Sequence, residues 1–166
     1  RRFMPELFDS EFDQMKRIAG ELASNLVERL ARDCQSTADS EALTAQLQHF
    51  VRDYSFIQYA YVTDVKGHST AIAISDPGDQ KGYKAFPIGF DYSNREWFLQ
   101  PMHTGKLHIT NVHQSQVTGQ LIITVSTVIT DANDEIIGVL GADIQLEEII
   151  RRAESLEAEV PNSDEE

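Results

Sequence analysis

The sequence predicts an α+β domain, with helices at both ends and an antiparallel sheet of about five strands between them. Apolar residues recur at spacings of three and four in the first 53 residues and again after residue 145, as in amphipathic helices. Between these stretches, β-branched and aromatic residues alternate with period two, as in strands. We therefore expect an N-terminal helical segment over 1–53, a sheet-containing core over 54–144, and a C-terminal helix with an acidic linker over 145–166.

The N-terminal segment is predicted to form two helices. The first runs from Phe3 to about Asp33, and the second begins at Asp39 or Ser40 and ends near Asp53. The apolar residues of the first helix form a stripe along one side. Such a stripe packs as core onto the sheet or forms a dimer interface, and both can hold at once. The stripe of the first helix consists of Phe8, Phe12, Met15, Ala19, Leu22 and Leu26.

The core is predicted to be a meander joined by turns. A loop over 76–82 follows the second strand, and a short helix over 93–102 begins with Ser93 or Asn94 as its cap. After the last strand, a helix begins at Leu146 and leaves the sheet near Ala158. The predicted strands are 55–63, 69–75, 107–113, 120–130 and 135–144.

The composition narrows the function classes. The chain has 166 residues, 41% of them hydrophobic, which is enough for one domain with its own core. Its net charge of −13 argues against binding to nucleic acid or to an anionic membrane surface. Cys34 is the only cysteine, so an intrachain disulfide and a multi-cysteine zinc site are excluded, and the redox compartment stays open.

No apolar run approaches the roughly 18 to 20 residues that span a bilayer, and no signal-peptide pattern opens the chain. Because the chain starts at Arg1 and not at Met, we expect it to be part of a longer protein. Any membrane attachment would then come from flanking segments outside this chain.

An enzyme is not expected, since no Gly-x-Ser-x-Gly elbow or comparable nucleophile pattern occurs. No cofactor and no metal are predicted either. His103, His108 and His113 recur every five residues, a spacing that suits neither one face of a helix nor one face of a strand. The segment 131–135 lacks a full Ca²⁺-ligand set and is predicted to be a turn.

An ordered set of short motifs is the most specific feature of the chain. It resembles the Cache family of extracytoplasmic sensor domains, which are PAS-like and also called PDC domains. That family's pattern runs Tyr-x-x-x-x-Arg-x-Trp-Tyr, Ile-Thr-x-x-Tyr, Thr-Gly, Ile-Thr-Val-Ser and Gly-Val-x-Gly-x-Asp-Ile. The resemblance covers roughly 54–144 and implies a PAS-like ligand-binding core with the long N-terminal helix packed on its sheet. The matching segments here are Asp91–Phe98, Ile109–Thr110, Thr118–Gly119, Ile123–Ser126 and Gly138–Ile144.

Two charged residues lead to alternative readings. Strand alternation places Asp143 on an otherwise apolar face, where a carboxylate needs a partner. Arg95 either bridges Asp143 directly, or the two charges lie across a pocket. The resemblance implies the second arrangement, because in amino-acid-binding Cache members the residues matching Arg95, Trp97 and Asp143 hold the α-carboxylate and the α-amine.

Three positions depart from the family pattern. Phe90, Phe98 and His113 stand where the pattern has tyrosines, so the expected cavity is more apolar and offers fewer phenol donors. These departures favour a small carboxylate, an amine or an unusual amino acid as the ligand, and its identity is left open. His113 would donate to a carboxylate more strongly when protonated, which would favour binding at mildly acidic pH.

Further side chains are expected at the ligand, each with a plainer alternative. Thr124 and Ser126 share a semi-polar strand face, which is typical of a polar-ligand pocket and also of a solvent-facing sheet. Trp97 either lines the cavity or packs in the core under its short helix. His113 either binds the ligand or lies at the surface. Tyr92 lines the cavity or closes the preceding loop.

The sequence therefore predicts the small-molecule sensor domain of a bacterial signalling protein, in the periplasmic or extracellular part of an inner-membrane protein. Its effector, whether chemoreceptor, histidine kinase or diguanylate cyclase, is left open. A homodimer through the N-terminal helix is the expected protein partner. The alternative is a PAS-like dimerisation scaffold without a dissociable ligand, which a direct Arg95–Asp143 bridge and a closed core would favour.

Overall fold

The computed structural model describes residues 3–35, 39–76, 78–115 and 117–159, and within these ranges it describes side chains from residue 13 to residue 152 apart from positions 80 and 83. These ranges contain five helices and one six-stranded sheet, all of whose strand pairs are antiparallel. The α+β prediction is confirmed. The helices are α1 (Phe3–Cys34), α2 (Ser40–Asp53), α3 (Gln80–Ala85), α4 (Glu96–Thr104) and α5 (Leu146–Glu159), and the strands are β1 (Ile57–Thr63), β2 (Ser69–Ile74), β3 (His108–Ile109), β4 (His113–Gln114), β5 (Leu121–Thr130) and β6 (Ile136–Gln145).

The sheet order is β2-β1-β6-β5-β3, and β4 also pairs with β5. The strand predicted over 107–113 is therefore two short strands. Thr110 explains the interruption, because its side-chain Oγ1 accepts the N–H of Thr124 at 2.9 Å while its own N–H donates to the carbonyl of Thr124. A hydroxyl replaces a backbone carbonyl at this point of the ladder.

One face of the sheet packs under α1 and α2. Register places Ala60, Val62, Leu140, Ala142 and Val125 on this face, and all are buried in one apolar cluster with the two helices. Since opposed residues of antiparallel strands point to the same side, the intervening positions of the same strands point away from the helices. We call the two sides the helix face and the cavity face.

The first helix buries a different stripe from the predicted one. Leu22 is 46% exposed and Leu26 is only half-buried, whereas the buried side is made mostly of small residues. Small side chains let the helix axis approach the sheet closely, and a Cβ at Gly20 would lie 2.8 Å from the side chain of Ile109. Phe8 and Phe12 lie outside the described side chains. The buried stripe is Ala19, Ala23, Val27, Leu30, Ala31 and Cys34.

Two local predictions are wrong. The segment predicted as a loop over 76–82 contains the start of α3, because Asp79 caps that helix by accepting the N–H of Gly82 at 2.8 Å. The short helix α4 begins at Glu96, and neither Ser93 nor Asn94 is its cap; Arg95 occupies that position without a side-chain hydrogen bond. Its end is as expected, because Gly105 adopts a left-handed φ of 70°.

Candidate functional site

A cavity of about 360 Å³ opens on the cavity face of the sheet. Its floor comes from the central strands, where Tyr61, Thr124 and Asp143 point to the same side. Its walls come from the start of α4 and from the segment that carries β4. The volume falls in the range of small-molecule sites, about 300–1,000 Å³.

Asp143 is the acid at the floor of this cavity, and it is 6% exposed. Its Oδ1 accepts hydrogen bonds from the hydroxyl of Tyr61 at 2.6 Å and from the hydroxyl of Thr124 at 2.8 Å. Burial raises the pKa of the Asp143 carboxyl, although the two hydroxyl donors and the nearby His113 oppose the rise. Burial and the neighbouring carboxylate in turn raise the pKa of Tyr61 well above its ordinary value, so that phenol stays a donor.

Arg95 lines the same cavity without contacting Asp143. The side chain is exposed, and no ion pair within 4.0 Å joins it to Asp143 among the described residues. The direct Arg95–Asp143 bridge, one of the two arrangements that the sequence left open, is therefore not formed. The cavity holds a buried acid at its floor and an exposed cation on its wall.

Four aromatic rings form a cluster, and the hydroxyl of one of them, Tyr61, donates to Asp143. The ring of Tyr61 lies 4.7 Å from that of Trp97, 6.0 Å from that of Tyr92 and 6.1 Å from that of Phe86, centroid to centroid. All four residues line the cavity. The Tyr92 hydroxyl is buried without a hydrogen-bond partner in the described structure, and burial together with the charge of Asp143 raises its pKa.

His113 contributes an imidazole ring to the cavity lining. Its Nδ1 lies 2.9 Å from the carbonyl oxygen of Asn111, and because a carbonyl only accepts, Nδ1 carries the proton of this bond. Nε2 is then the nitrogen left for a ligand, as an acceptor when the ring is neutral and as a donor when it is protonated.

The structure brings six of the nine predicted site residues together around the cavity, namely Arg95, Trp97, Asp143, His113, Tyr92 and Thr124. The other three lie nearby but not on its lining. Phe90 packs against the ring of Tyr92 at 4.8 Å, and Phe98 is buried in α4. Ser126 donates its hydroxyl to the carbonyl of Trp97 at 2.7 Å and so fastens α4 to the sheet.

Sequence reasoning missed Tyr61 and Phe86. Tyr61 sits opposite Gly141 in the β1–β6 ladder, and a Cβ at Gly141 would lie 2.5 Å from the Tyr61 ring. A glycine two residues before a buried acid was therefore the available signal that a large side chain crosses β6 at this point. Phe86 directly follows α3, in a stretch between the loop predicted over 76–82 and the helix predicted over 93–102, and no local pattern marks it.

The described residues contain no group of three or more His, Cys, Asp or Glu side chains placed to hold a metal ion. His108 instead pairs with Glu96, with 2.6 Å between Nε2 and Oε2. Within the described part of the chain, no helix is both long and apolar enough to cross a membrane.

The fold and the cavity together define a small-molecule-binding sensor domain. The chain belongs to the family described as methyl-accepting chemotaxis protein-like, first PDC sensor domain, whose model matches residues 41–151. The Cache resemblance is thereby confirmed.

Solved ligand-binding domains of chemoreceptors share this fold. The domain of Tlp3 from Campylobacter jejuni in complex with 4-methylisoleucine aligns with a TM-score of 0.63 and 17% identity, over 83% of this chain and 57% of that one. The domain of CtaA from Pseudomonas fluorescens in complex with L-serine aligns with a TM-score of 0.59 and 21% identity, over 91% of this chain and 63% of that one.

Two curated proteins are similar in sequence. A protein of Syntrophus aciditrophicus named citrate (Re)-synthase is 39% identical over 93% of this chain, which covers 25% of that protein. The methyl-accepting chemotaxis protein McpA of Pseudomonas putida is 25% identical over 80% of this chain, which covers 19% of its length. This chain thus spans a quarter or less of either relative.

Proposed function

We propose that this sensor domain binds a small molecule with an ammonium group, such as an amino acid or an amine, and places that ammonium at Asp143. One observation carries the proposal. Asp143 is a buried carboxylate that lines an open cavity, and its partners in the described structure are two hydroxyl groups and no cation. A buried charge without a countercharge is costly, and a ligand ammonium supplies that countercharge.

The exposed wall of the cavity suits the opposite end of such a ligand. Arg95 offers paired N–H donors for a carboxylate, and protonated His113 would add one more. An amino acid would then lie with its amine on the floor and its carboxylate toward the opening. A small carboxylate without an amine would use the Arg95 end alone.

The remaining predicted residues take graded roles in this proposal. Trp97, Tyr92 and Thr124 line the cavity and would contact the ligand. Phe90, Phe98 and Ser126 would act one step further out, by holding Tyr92 and α4 in place. The amino-acid ligands of the Tlp3 and CtaA domains support a ligand of this size and charge.

Three broader proposals follow from the family. The domain acts by binding and not by catalysis, as expected for a sensor domain of the family that its sequence matches. It works as the periplasmic or extracellular part of a longer membrane-anchored receptor. Two copies associate through α1, where Ile18 and Leu22 are exposed apolar side chains.

The name citrate (Re)-synthase describes a protein of which this match covers only 25%, and it gives no reason to assign that reaction here.

A scaffold without a dissociable ligand is the competing function. It would be favoured by a cavity closed by its own side chains and by a direct Arg95–Asp143 bridge. The open cavity and the missing bridge argue against it.

Isothermal titration calorimetry of the purified chain against amino acids, amines and short carboxylates tests the proposal. We expect Asp143→Asn to weaken an ammonium-bearing ligand by about 2 to 5 kcal/mol, as for a truncated buried charge pair, and Arg95→Ala to weaken only ligands that carry a carboxylate. Asp13→Asn and Arg29→Ala, which change exposed residues of α1, are the matched controls. Binding that both Asp143→Asn and Arg95→Ala leave intact would refute the proposed site, and a folded chain that binds none of the three ligand classes would favour the scaffold.

A further inference from the structure

The acidic end of the cavity is walled by rings. Tyr61 connects them, because its hydroxyl donates to Asp143 while its ring lies 4.7 to 6.1 Å from the rings of Trp97, Tyr92 and Phe86. Tyr92 and Trp97 also approach each other, with 5.2 Å between centroids. The faces of aromatic rings attract cations, and the attraction grows when the site is desolvated.

Most hydroxyl groups of the cavity already take part in hydrogen bonds within the protein. The hydroxyl protons of Tyr61 and Thr124 are both directed to Asp143 Oδ1. Thr110 Oγ1 already accepts one backbone N–H and Ser115 Oγ accepts two. The Tyr92 hydroxyl, in contrast, is buried without a hydrogen-bond partner in the described structure.

A primary ammonium brings three N–H donors that each need an acceptor when buried. A dimethylated or trimethylated ammonium brings one donor or none, and its positive charge is spread over methyl groups that pack on ring faces. A cavity lined by one buried carboxylate and four aromatic side chains therefore matches the methylated group better than the primary one.

We propose that this cavity selects a small zwitterion or amine whose ammonium is N-methylated, held between Asp143 and the rings of Tyr61, Trp97, Tyr92 and Phe86. The inference rests on the proposed function, since it assumes that the ammonium end binds at Asp143. It goes further by naming the substitution on the nitrogen that the cavity prefers.

A matched ligand series tests the preference. The series is glycine, N-methylglycine, N,N-dimethylglycine and glycine betaine, with the corresponding N-methylated forms of alanine and leucine and the pair ethanolamine and choline. Titration calorimetry should give affinities that rise with methylation, by roughly tenfold or more from the primary to the fully methylated member, which corresponds to about 1.4 kcal/mol. Equal or falling affinity along every series overturns the inference.

Trp97 permits a second, independent test because it is the one tryptophan in the sequence. Tryptophans carrying one, two or three fluorine atoms change little in shape but progressively weaken the attraction of the ring for a cation. For the preferred methylated ligand, the logarithm of the affinity should fall steadily with each added fluorine. A flat series, in labelled proteins whose thermal midpoints without ligand match the unlabelled one, overturns the role of the ring.

The outcomes separate the two proposals. Primary amino acids that bind in an Asp143-dependent way, while their methylated forms do not, leave the proposed function standing and refute this inference. Failure of primary and methylated ligands alike, with no effect of Asp143→Asn, refutes both.

Discussion

The two faces of the sheet differ although they are built from alternate residues of the same strands. On the helix face, Leu140 and Ala142 of β6 are fully buried among apolar neighbours. On the cavity face, Gly141 and Asp143 of the same strand lie beside aromatic rings, hydroxyl groups and an open cavity. The helix face is thus a packed core, whereas the cavity face keeps space and polar groups that a core would exclude.

The ionisable groups follow the same division. Cys34 is the titratable side chain of the apolar cluster, and burial raises the pKa of its thiol to about 12, so it stays neutral. The cavity face instead holds the Asp143 carboxyl and an unpartnered Tyr92 hydroxyl. Buried unpaired polar groups destabilise a fold. We therefore infer that the helix face supplies most of the free energy of unfolding and that the polar groups of the cavity face reduce it.

The largest effect is expected for Leu140→Ala. Leu140 is fully buried on the helix face, and deleting a buried leucine side chain costs about 2 to 5 kcal/mol. Urea unfolding should show this loss, while ligand affinity of the folded variant stays near wild type. A loss well below 1 kcal/mol would show that the helix face is not the main source of stability.

Gly141→Ala should act on the cavity face with a smaller cost. The added Cβ would meet the Tyr61 ring at 2.5 Å, so the ring must move, and overpacking of this kind costs about 1 to 3 kcal/mol. Ligand binding should weaken as well, because Tyr61 leaves Asp143. In a Tyr61→Ala background the same substitution should cost little in the free energy of unfolding; an undiminished cost there would locate the clash elsewhere.

Asp143→Asn should stabilise the ligand-free protein at alkaline pH. The folded pKa of Asp143 lies above its unfolded value, so its contribution to stability is fully present below the ordinary Asp pKa and is lost as pH rises through the raised value. Asparagine cannot ionise and keeps an oxygen for the two hydroxyl donors. We expect its thermal midpoint at pH about 8 to exceed wild type by about 2 to 4 °C, the shift that about 1 kcal/mol produces in a domain of this size.

The same difference should vanish as the pH falls toward about 4, the ordinary pKa of an aspartate. Asp13→Asn, in the exposed part of α1, is the control and should show no such pH-dependent gain. An Asp143→Asn variant no more stable than wild type at alkaline pH would mean that the carboxylate is adequately paired without a ligand.

The smallest effect is expected for Arg151→Ala, which belongs to neither face. Arg151 pairs with Glu148 at 2.6 Å on the exposed side of α5, and such surface pairs contribute about 0 to 1 kcal/mol. Urea unfolding should therefore change by less than about 0.5 kcal/mol. A change as large as that of Leu140→Ala would show that stability is not concentrated in the helix face.

Much of the fold could be predicted from the sequence because periodicity records which side of an element is buried. Four of the five predicted strands and the long helices were recovered with ends shifted by a few residues, whereas the strand predicted over 107–113 is two short strands. The stripe of α1 was predicted only in part: Ala19 is buried as expected, but the close approach to the sheet also selects the small residues Ala23 and Ala31 in place of Leu22. The helix α3 was not predicted. Its cap, Asp79, follows Pro77 and Gly78, and that composition is typical of a loop.

The site residues that belong to sequence motifs could be predicted. Those that reach the site through contacts between strands could not. Arg95, Trp97 and Asp143 stood in a recognisable order. Tyr61 reaches Asp143 from a strand 82 positions earlier, and such a contact depends on register. The absence of a direct Arg95–Asp143 bridge is likewise a matter of a few ångströms that no local pattern encodes.

The junction between β6 and α5 contains no loop: the strand ends at Gln145 and the helix begins at Leu146, three positions after Asp143. Leu146 and Ile149 are buried in the apolar cluster, so the start of the helix is clamped to the sheet. A helix of 14 residues is about 21 Å long, and a tilt of about 5° at its clamped end displaces the far end by about 2 Å over that length. A small rotation at this junction would therefore move the far end of α5, and Asp143 lies only three positions before the helix begins.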